Sequence, residues 1–399
     1  MENSRKIRIS GTEIHSEPFC DYEKWSEIPK ESSDTLSYSD FFSKYMTRNL
    51  PVIISLDLSQ WDSFNNWISP DRTSLNVEYL KSRLGNLPEV PIAKCEEQYF
   101  DSHRKIQMSF DDFLTYWKSR DAEKPPTELL YLKDWHLRHE LPDYNFYHVP
   151  EYFSSDFLNE YLVDTQQDDY KFVYIGPAGS YTPFHADVFS SFSWSVNIFG
   201  RKTWIFVPPG EEKKLKDKFG SLPFTIDVEI LREKNVKYFV VTQETGNAIF
   251  VPSNWHHQVT NEVDTVSINH NWFNGANLKA IYDALKACEE SCRKEISDCS
   301  DMEGFDQQCQ VMVKSLFGMD YEGFLKILSH IVEKRAKMLE NDEISTSCDE
   351  FVFDESHLKY DLDRISAVLK QMSDEKLLLD LNLKSFCDKI LQKAQKILS

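Results

Sequence analysis

Glycine is scarce in this chain. The 12 glycines among 399 residues fall well below the roughly 7% of an average protein, which excludes collagen-like and glycine-rich low-complexity architectures. No apolar run approaches the ~18 residues of a membrane-spanning helix, so no membrane association is expected. The opening stretch MENSRKIRIS lacks the apolar core of a secretory signal, and a cytoplasmic or nuclear chain is the expectation. The eight cysteines include no Cys-x-x-Cys pair. Four fall at Cys288, Cys292, Cys299 and Cys309, without the spacing of a zinc knuckle, and Cys288 and Cys292 fit the apolar stripe of a helix. They read as buried, reduced thiols. Positive charge is also short, with 45 Lys+Arg against 65 Asp+Glu and a net charge of −20. Phosphate backbones would be repelled, so direct nucleic-acid binding is not expected. A Lys/Arg-rich protein surface would instead be steered inward.

What the chain does have is apolar and aromatic material: 41% and 14% of residues, enough for a substantial core and too much for intrinsic disorder. At ~150 residues per domain, two or three units are expected. Residues 1–167 form a mixed region. Ser37 starts a helix with Phe41, Phe42 and Tyr45 on one face, Leu50–Ile54 reads as a short strand, Phe110–Trp117 as a helix and Leu129–Leu132 as a strand. Residues 168–274 change to short β runs: Tyr170–Ile175, Phe192–Phe199, Thr203–Val207, Tyr238–Gln243, Ala248–Val251 and Thr265–Trp272, punctuated by Gly and Pro. Such spacing predicts a sandwich or small barrel.

Residues 275–399 become helical. Leu278, Ile281, Tyr282, Leu285, Cys288, Cys292 and Ile296 repeat at the helical period. Further helices are expected over about 306–317, after Asp320, and over about 355–371 and 374–397. The acidic, Ser/Thr-rich stretch Glu340–Asp354 reads as a mobile loop. The apolar stripes would form a helical bundle on the core, and a homodimer through these helices is a second use for them.

The chemistry concentrates in the β region. His185 and Asp187 form a His-x-Asp, and residues two apart on an extended segment face one side. A distant histidine, His256 or His257, would complete a two-histidine, one-carboxylate set that leaves three positions open on an octahedral ion, as non-haem Fe(II) oxygenases require. Adjacent strand residues face opposite ways, so one of the two ligates, and spacing alone does not choose.

These residues sit in stretches that resemble the JmjC family of 2-oxoglutarate-dependent oxygenases: Phe184–Phe189, Gly200–Pro209 and Ile249–Val259, with Tyr131–His136, Phe153–Glu160, Phe192–Asn197 and Ser267–Gly275. The likeness covers about residues 10–340. It implies a mixed α+β fold built on a double-stranded β-helix (cupin or jelly-roll) core, flanked by the mixed N-terminal region and the C-terminal helical bundle. Matched residue by residue, it implies His185, Asp187 and His257 as Fe(II) ligands, with His256 outside. It implies Lys202 and Thr182 at the distal carboxylate of 2-oxoglutarate, Asn269 on the last core strand and Tyr131 beside the cosubstrate, with O2 as the second cosubstrate. One departure is Ser195, where several relatives carry Asn; the shorter side chain puts that cosubstrate contact in question. Trp194, Trp204, Trp255 and Trp272 read as core or cavity wall. His270 reads as a structural histidine facing away from Asn269, Asn271 as a packing contact, and Trp135 with His136 as a candidate entrance.

The resemblance implies a protein hydroxylase acting on a lysyl side chain, with the eukaryotic translation termination (release) factor as partner. An N-methyl-lysine demethylase and a catalytically inactive binding protein of the same fold are the competing expectations.

Overall fold

The computed structural model describes residues 6–9, 22, 25–120, 123, 126–341 and 351–399. Its first six strands are β1 (Lys6–Ile7), β2 (Lys30–Ser32), β3 (Val52–Ser55), β4 (Val90–Tyr99), β5 (Ser102–Met108) and β6 (Leu130–Trp135). The core strands follow as β7 (Lys171–Gly176), β8 (Tyr181–His185), β9 (Phe192–Phe199), β10 (Lys202–Val207), β11 (Phe239–Gln243), β12 (Asn247–Val251), β13 (His256–Asn261) and β14 (Thr265–Trp272). The last strand, β15 (Val352–Phe353), pairs in parallel with β1.

The core strands β7–β14 divide between two sheets. One has the order β11-β10-β13-β8; the other runs β2-β3-β12-β9-β14-β7-β6-β4-β5. All core neighbours are antiparallel. This is the expected double-stranded β-helix, and the chain is mixed α+β. The N-terminal strands are not a separate layer: β6, β4 and β5 continue the large sheet beyond β7, and β3 with β2 continues it beyond β12.

Period-2 alternation explains why this core closes. On β9, Phe192, Trp194, Val196 and Ile198 occupy one face, and Ser193, Ser195 and Asn197 the other, yet both faces are buried. On β14 the apolar face carries Val266, Ile268 and Trp272, and the opposite face Ser267, Asn269 and Asn271. The apolar faces pack on N-terminal aromatics; Phe153 stacks on Trp194 at 5.4 Å, and Phe41 meets Phe250 edge-on at 5.1 Å. The polar faces turn into the β-helix.

The six expected β runs all form. The two strands that patterning missed, β8 and β13, carry the candidate ligands. Pro183 lies within β8, which survives because β8 is the edge of its sheet. β13 is polar (Gln258, Thr260, Asn261) and is held from both sides by β10 and β8.

The helical region contains Leu278–Glu295, Phe305–Phe317, Tyr321–Glu340 and Glu355–Ser373, close to the expected spans. The helix expected over 374–397 is instead two, Lys376–Asp380 and Lys384–Leu398. Asn382 turns left-handed (φ 60°) and the Leu383 N–H bonds the Leu378 carbonyl, ending the first helix. At the ends of the loop expected over 340–354, Glu340 instead closes a helix and Val352–Phe353 form a strand. Residues 342–350 lie outside the described residues, while Phe351, Val352 and Phe353 are buried, because three apolar side chains end the acidic stretch. Cys292 and Cys309 are buried thiols and Cys288 and Cys299 half-buried. No helix among the described residues is long and apolar enough to cross a membrane.

A buried ion network ties the helices to the chain that precedes the core. Arg335 donates to Glu160 through both terminal nitrogens (2.8 and 2.9 Å) and through Nε to Asp361 (2.8 Å), all three being fully buried. Removing one partner of such a set strands the others as buried charges. Arg335→Met is therefore expected to lower unfolding free energy by about 3–5 kcal/mol, read as a fall in the urea midpoint at unchanged slope.

Candidate active site

Register brings the ligands together. In the β13–β8 pair, His257 lies directly opposite His185, and their ring centroids stand 4.4 Å apart. Asp187 follows two residues after His185, just past the strand end. The ligand atoms of His185, Asp187 and His257 all lie within 4.8 Å of one another.

The surrounding hydrogen bonds suit these residues to a metal. His185 Nδ1 lies 2.8 Å from the Pro183 carbonyl and His257 Nδ1 3.0 Å from the Trp255 carbonyl. A carbonyl only accepts, so each Nδ1 carries a proton and Nε2 is left as the ring atom that can take a metal. Burial, and next the neighbouring His257 ring, push the His185 imidazole down to about 3, which keeps it neutral. Asp187 Oδ2 accepts from the Ser193 hydroxyl at 2.7 Å, fixing its carboxylate. The turn that delivers His257 is clamped by Asn49, which bonds the Ser253 backbone through both ends of its side-chain amide (2.8 and 2.9 Å) and accepts the Trp255 indole N–H on its backbone carbonyl (2.9 Å). Two imidazoles held through their Nδ1 atoms and an oriented carboxylate fit Fe(II).

The cavity over these groups opens to solvent, and about 440 Å³ of empty space lies within it and its mouth. Tyr131, Thr182, Lys202 and Asn269 all line it. Lys202 is buried and donates to the Ser267 hydroxyl at 2.6 Å. Burial first, and then the charge of Lys133, push its ammonium down to about 7. Burial raises the Tyr131 phenol, with an opposing hydrogen bond to Asn261. Ser195, the position where the sequence departs from several relatives, donates to Asn269 Oδ1 at 3.2 Å. It thereby orients the Asn269 amide and is not itself part of the cavity wall.

His256 lies on the other face of β13, against Phe184 at 5.4 Å, outside the ligand group. His270 bonds the Tyr147 hydroxyl through Nε2 at 2.7 Å and packs on Trp194 at 4.1 Å, a structural histidine as expected. Trp194, Trp255 and Trp272 are core, and Trp204 is cavity wall. Two expectations change. Trp135 is no entrance: it is fully buried on Phe110 at 5.0 Å, and His136 pairs with Asp168 at 2.9 Å. Asn271 is more than a packing contact, since it lines the cavity while its amide donates to Ser191 at 3.1 Å.

Sequence reasoning also passed over Ser193, Ser267, Tyr174 and Lys133. For Ser193 and Ser267 a signal existed: each alternates with apolar neighbours and shares a face with Ser195 or Asn269.

Comparison with known proteins agrees with this geometry. The family model described as JmjC domain, hydroxylase matches residues 172–272. A Drosophila melanogaster protein described as a 2-oxoglutarate and iron-dependent oxygenase JMJD4 homolog is 39% identical over 395 residues, covering 91% of this chain and 92% of its own length. The Homo sapiens 2-oxoglutarate and iron-dependent oxygenase JMJD4 is 41% identical over 317 residues, 76% of this chain and 75% of its own. An Arabidopsis thaliana protein described as arginine-specific demethylase JMJ20 is 35% identical over 325 residues, 76% of this chain and 70% of its own. With likeness that extends well beyond the β-helix into both flanking regions, the chain belongs to the JmjC family of iron- and 2-oxoglutarate-dependent oxygenases, with the JMJD4 proteins among its relatives.

Proposed function

We propose that this oxygenase is a protein hydroxylase that oxidises a lysyl side chain of the eukaryotic translation termination (release) factor in the cytoplasm. The observation that carries the catalytic part is the convergence of His185, Asp187 and His257 with both Nδ1 protons committed to backbone carbonyls. The net charge of −20 favours encounter with a basic segment of a protein partner.

His185 Nε2, the Asp187 carboxylate and His257 Nε2 would hold the iron. Bound there with 2-oxoglutarate, the metal supplies dioxygen activation coupled to cosubstrate decarboxylation, the chemistry that oxidises an unactivated C–H bond. The chain's own part is placement. The Lys202 ammonium, with the Thr182 and Tyr131 hydroxyls, would receive the distal carboxylate of 2-oxoglutarate, a charge-assisted contact strengthened by burial. Asn269, steered by Ser195, would present its free amide end to the cosubstrate. Ser193 keeps the Asp187 oxygen aimed, and Tyr174, Trp204 and Val259 wall the cavity and limit water.

A demethylase is the second reading, favoured by the likeness to a protein described as an arginine-specific demethylase. Intact-mass analysis separates the two. Iron-loaded protein with 2-oxoglutarate and release factor is expected to add one oxygen atom to a lysine, and Asp187→Ala to abolish both this product and succinate formation. Loss of a methyl group with formaldehyde from a methylated peptide, and no added oxygen, would reverse the assignment.

Cosubstrate affinity should also depend on pH. The carboxylate of 2-oxoglutarate needs Lys202 protonated, and before the cosubstrate enters that proton is lost above about pH 7. Affinity is expected to be full below pH 7 and to fall toward a limit of about tenfold per unit above it, with proton uptake on binding. Calorimetry in buffers of different ionisation enthalpy reads that uptake directly.

A further inference from the structure

The cavity contains a charge that the cosubstrate contacts above leave unused. Lys133, two residues beyond Tyr131 on β6, lines the same cavity. Its Nζ stands 5.9 Å from the centroid of the Tyr174 ring, and Lys202 Nζ stands 5.8 Å from that same centroid. Two ammonium groups therefore approach one aromatic ring from within one small chamber.

The acid next to Lys133 feels its charge but gives both of its oxygens to other partners. Asp134, next in sequence, accepts the Tyr174 hydroxyl at 2.7 Å on one oxygen and Lys105 Nζ at 2.6 Å on the other. Asp187, the one carboxylate among the lining residues, accepts from Ser193 and faces the metal position. The lining thus carries two cations against one anion before any divalent metal enters. Like charges held together in a partly desolvated chamber repel, and Lys202 registers that repulsion. An entering dicarboxylate relieves it.

We propose that Lys133 is a second cosubstrate-binding cation, which joins Lys202 in holding 2-oxoglutarate as its dianion. The inference rests on the reading of Lys202 and Thr182 as the cosubstrate pocket.

The test is calorimetric binding of 2-oxoglutarate to the full chain loaded with Mn(II), at about pH 6, where Lys202 holds its proton. Lys133→Met is expected to weaken binding about tenfold or more, and Lys133→Arg by no more than about threefold. Added salt should weaken binding by the wild-type protein more steeply than by Lys133→Met. Lys133 is half-exposed, so an unchanged melting temperature should accompany the loss. Binding by Lys133→Met within about twofold of wild type overturns the inference, and if turnover of a protein substrate falls at the same time, the lysine serves the substrate. Unaltered binding by Lys202→Ala, or none by the wild-type protein, overturns the cosubstrate pocket itself and this inference with it.

Discussion

Everything at the centre of this molecule depends on the antiparallel register of β8 against β13, which sets His185 opposite His257. Strand side chains alternate with a period of two, so a slip by one residue would turn one imidazole out of the cavity and put Phe184 or His256 in its place. The register is over-determined. β13 is clasped on its other side by β10, where Phe206 faces His257, and the turn before it is clamped by Asn49 from the N-terminal region. The backbone carbonyls of Pro183 and Trp255 then set the two rings with Nε2 free. Positioning of the metal donors is thus a property of the sheet, with little left to side-chain freedom.

The second constraint is burial of polar faces. Ser193, Ser195, Ser267, Asn269 and Asn271 lie inside the β-helix, where an unsatisfied hydroxyl or amide is costly. They are satisfied largely by one another and by the charged groups of the site: Ser193 by Asp187, Ser195 by Asn269, Ser267 by Lys202 and Asn271 by Ser191. The same bonds that make these residues tolerable inside the fold also aim the groups that face the metal and cosubstrate. The cavity is consequently polar, with two lysines and one aspartate in its lining, inside a protein whose net charge is strongly negative.

The flanking regions buttress this arrangement. N-terminal aromatics fill the outer face of the large sheet, where Phe153 and Phe41 pack on Trp194 and Phe250. On the helical side, Arg335 joins Glu160 to Asp361, and the Tyr38 hydroxyl reaches His357 at 2.7 Å. Chain segments far apart in sequence are therefore bound by buried charges and hydrogen bonds.

Six of the eight core strands, most of the helices and the donor types were legible in the sequence, because apolar periodicity and His-x-Asp are local signals. β8 and β13 were legible only as extended stretches around the candidate ligands, with no apolar pattern to mark them as strands. Pro183 and the run of polar residues after His257 argue locally against strands, and only pairing with neighbours makes them so. Spacing could not separate His256 from His257 either; register did. Patterning places Ser193, Ser267 and Asn271 on a polar face, which by itself reads as solvent-facing, and two sheets closing on each other turned that face inward. Lys133 carried no local mark at all. The sequence by itself determined the composition of the site, since its chemistry resides in residue types. Tertiary structure alone decided which of those residues meet, because that rests on strand register and on which face of each sheet is enclosed.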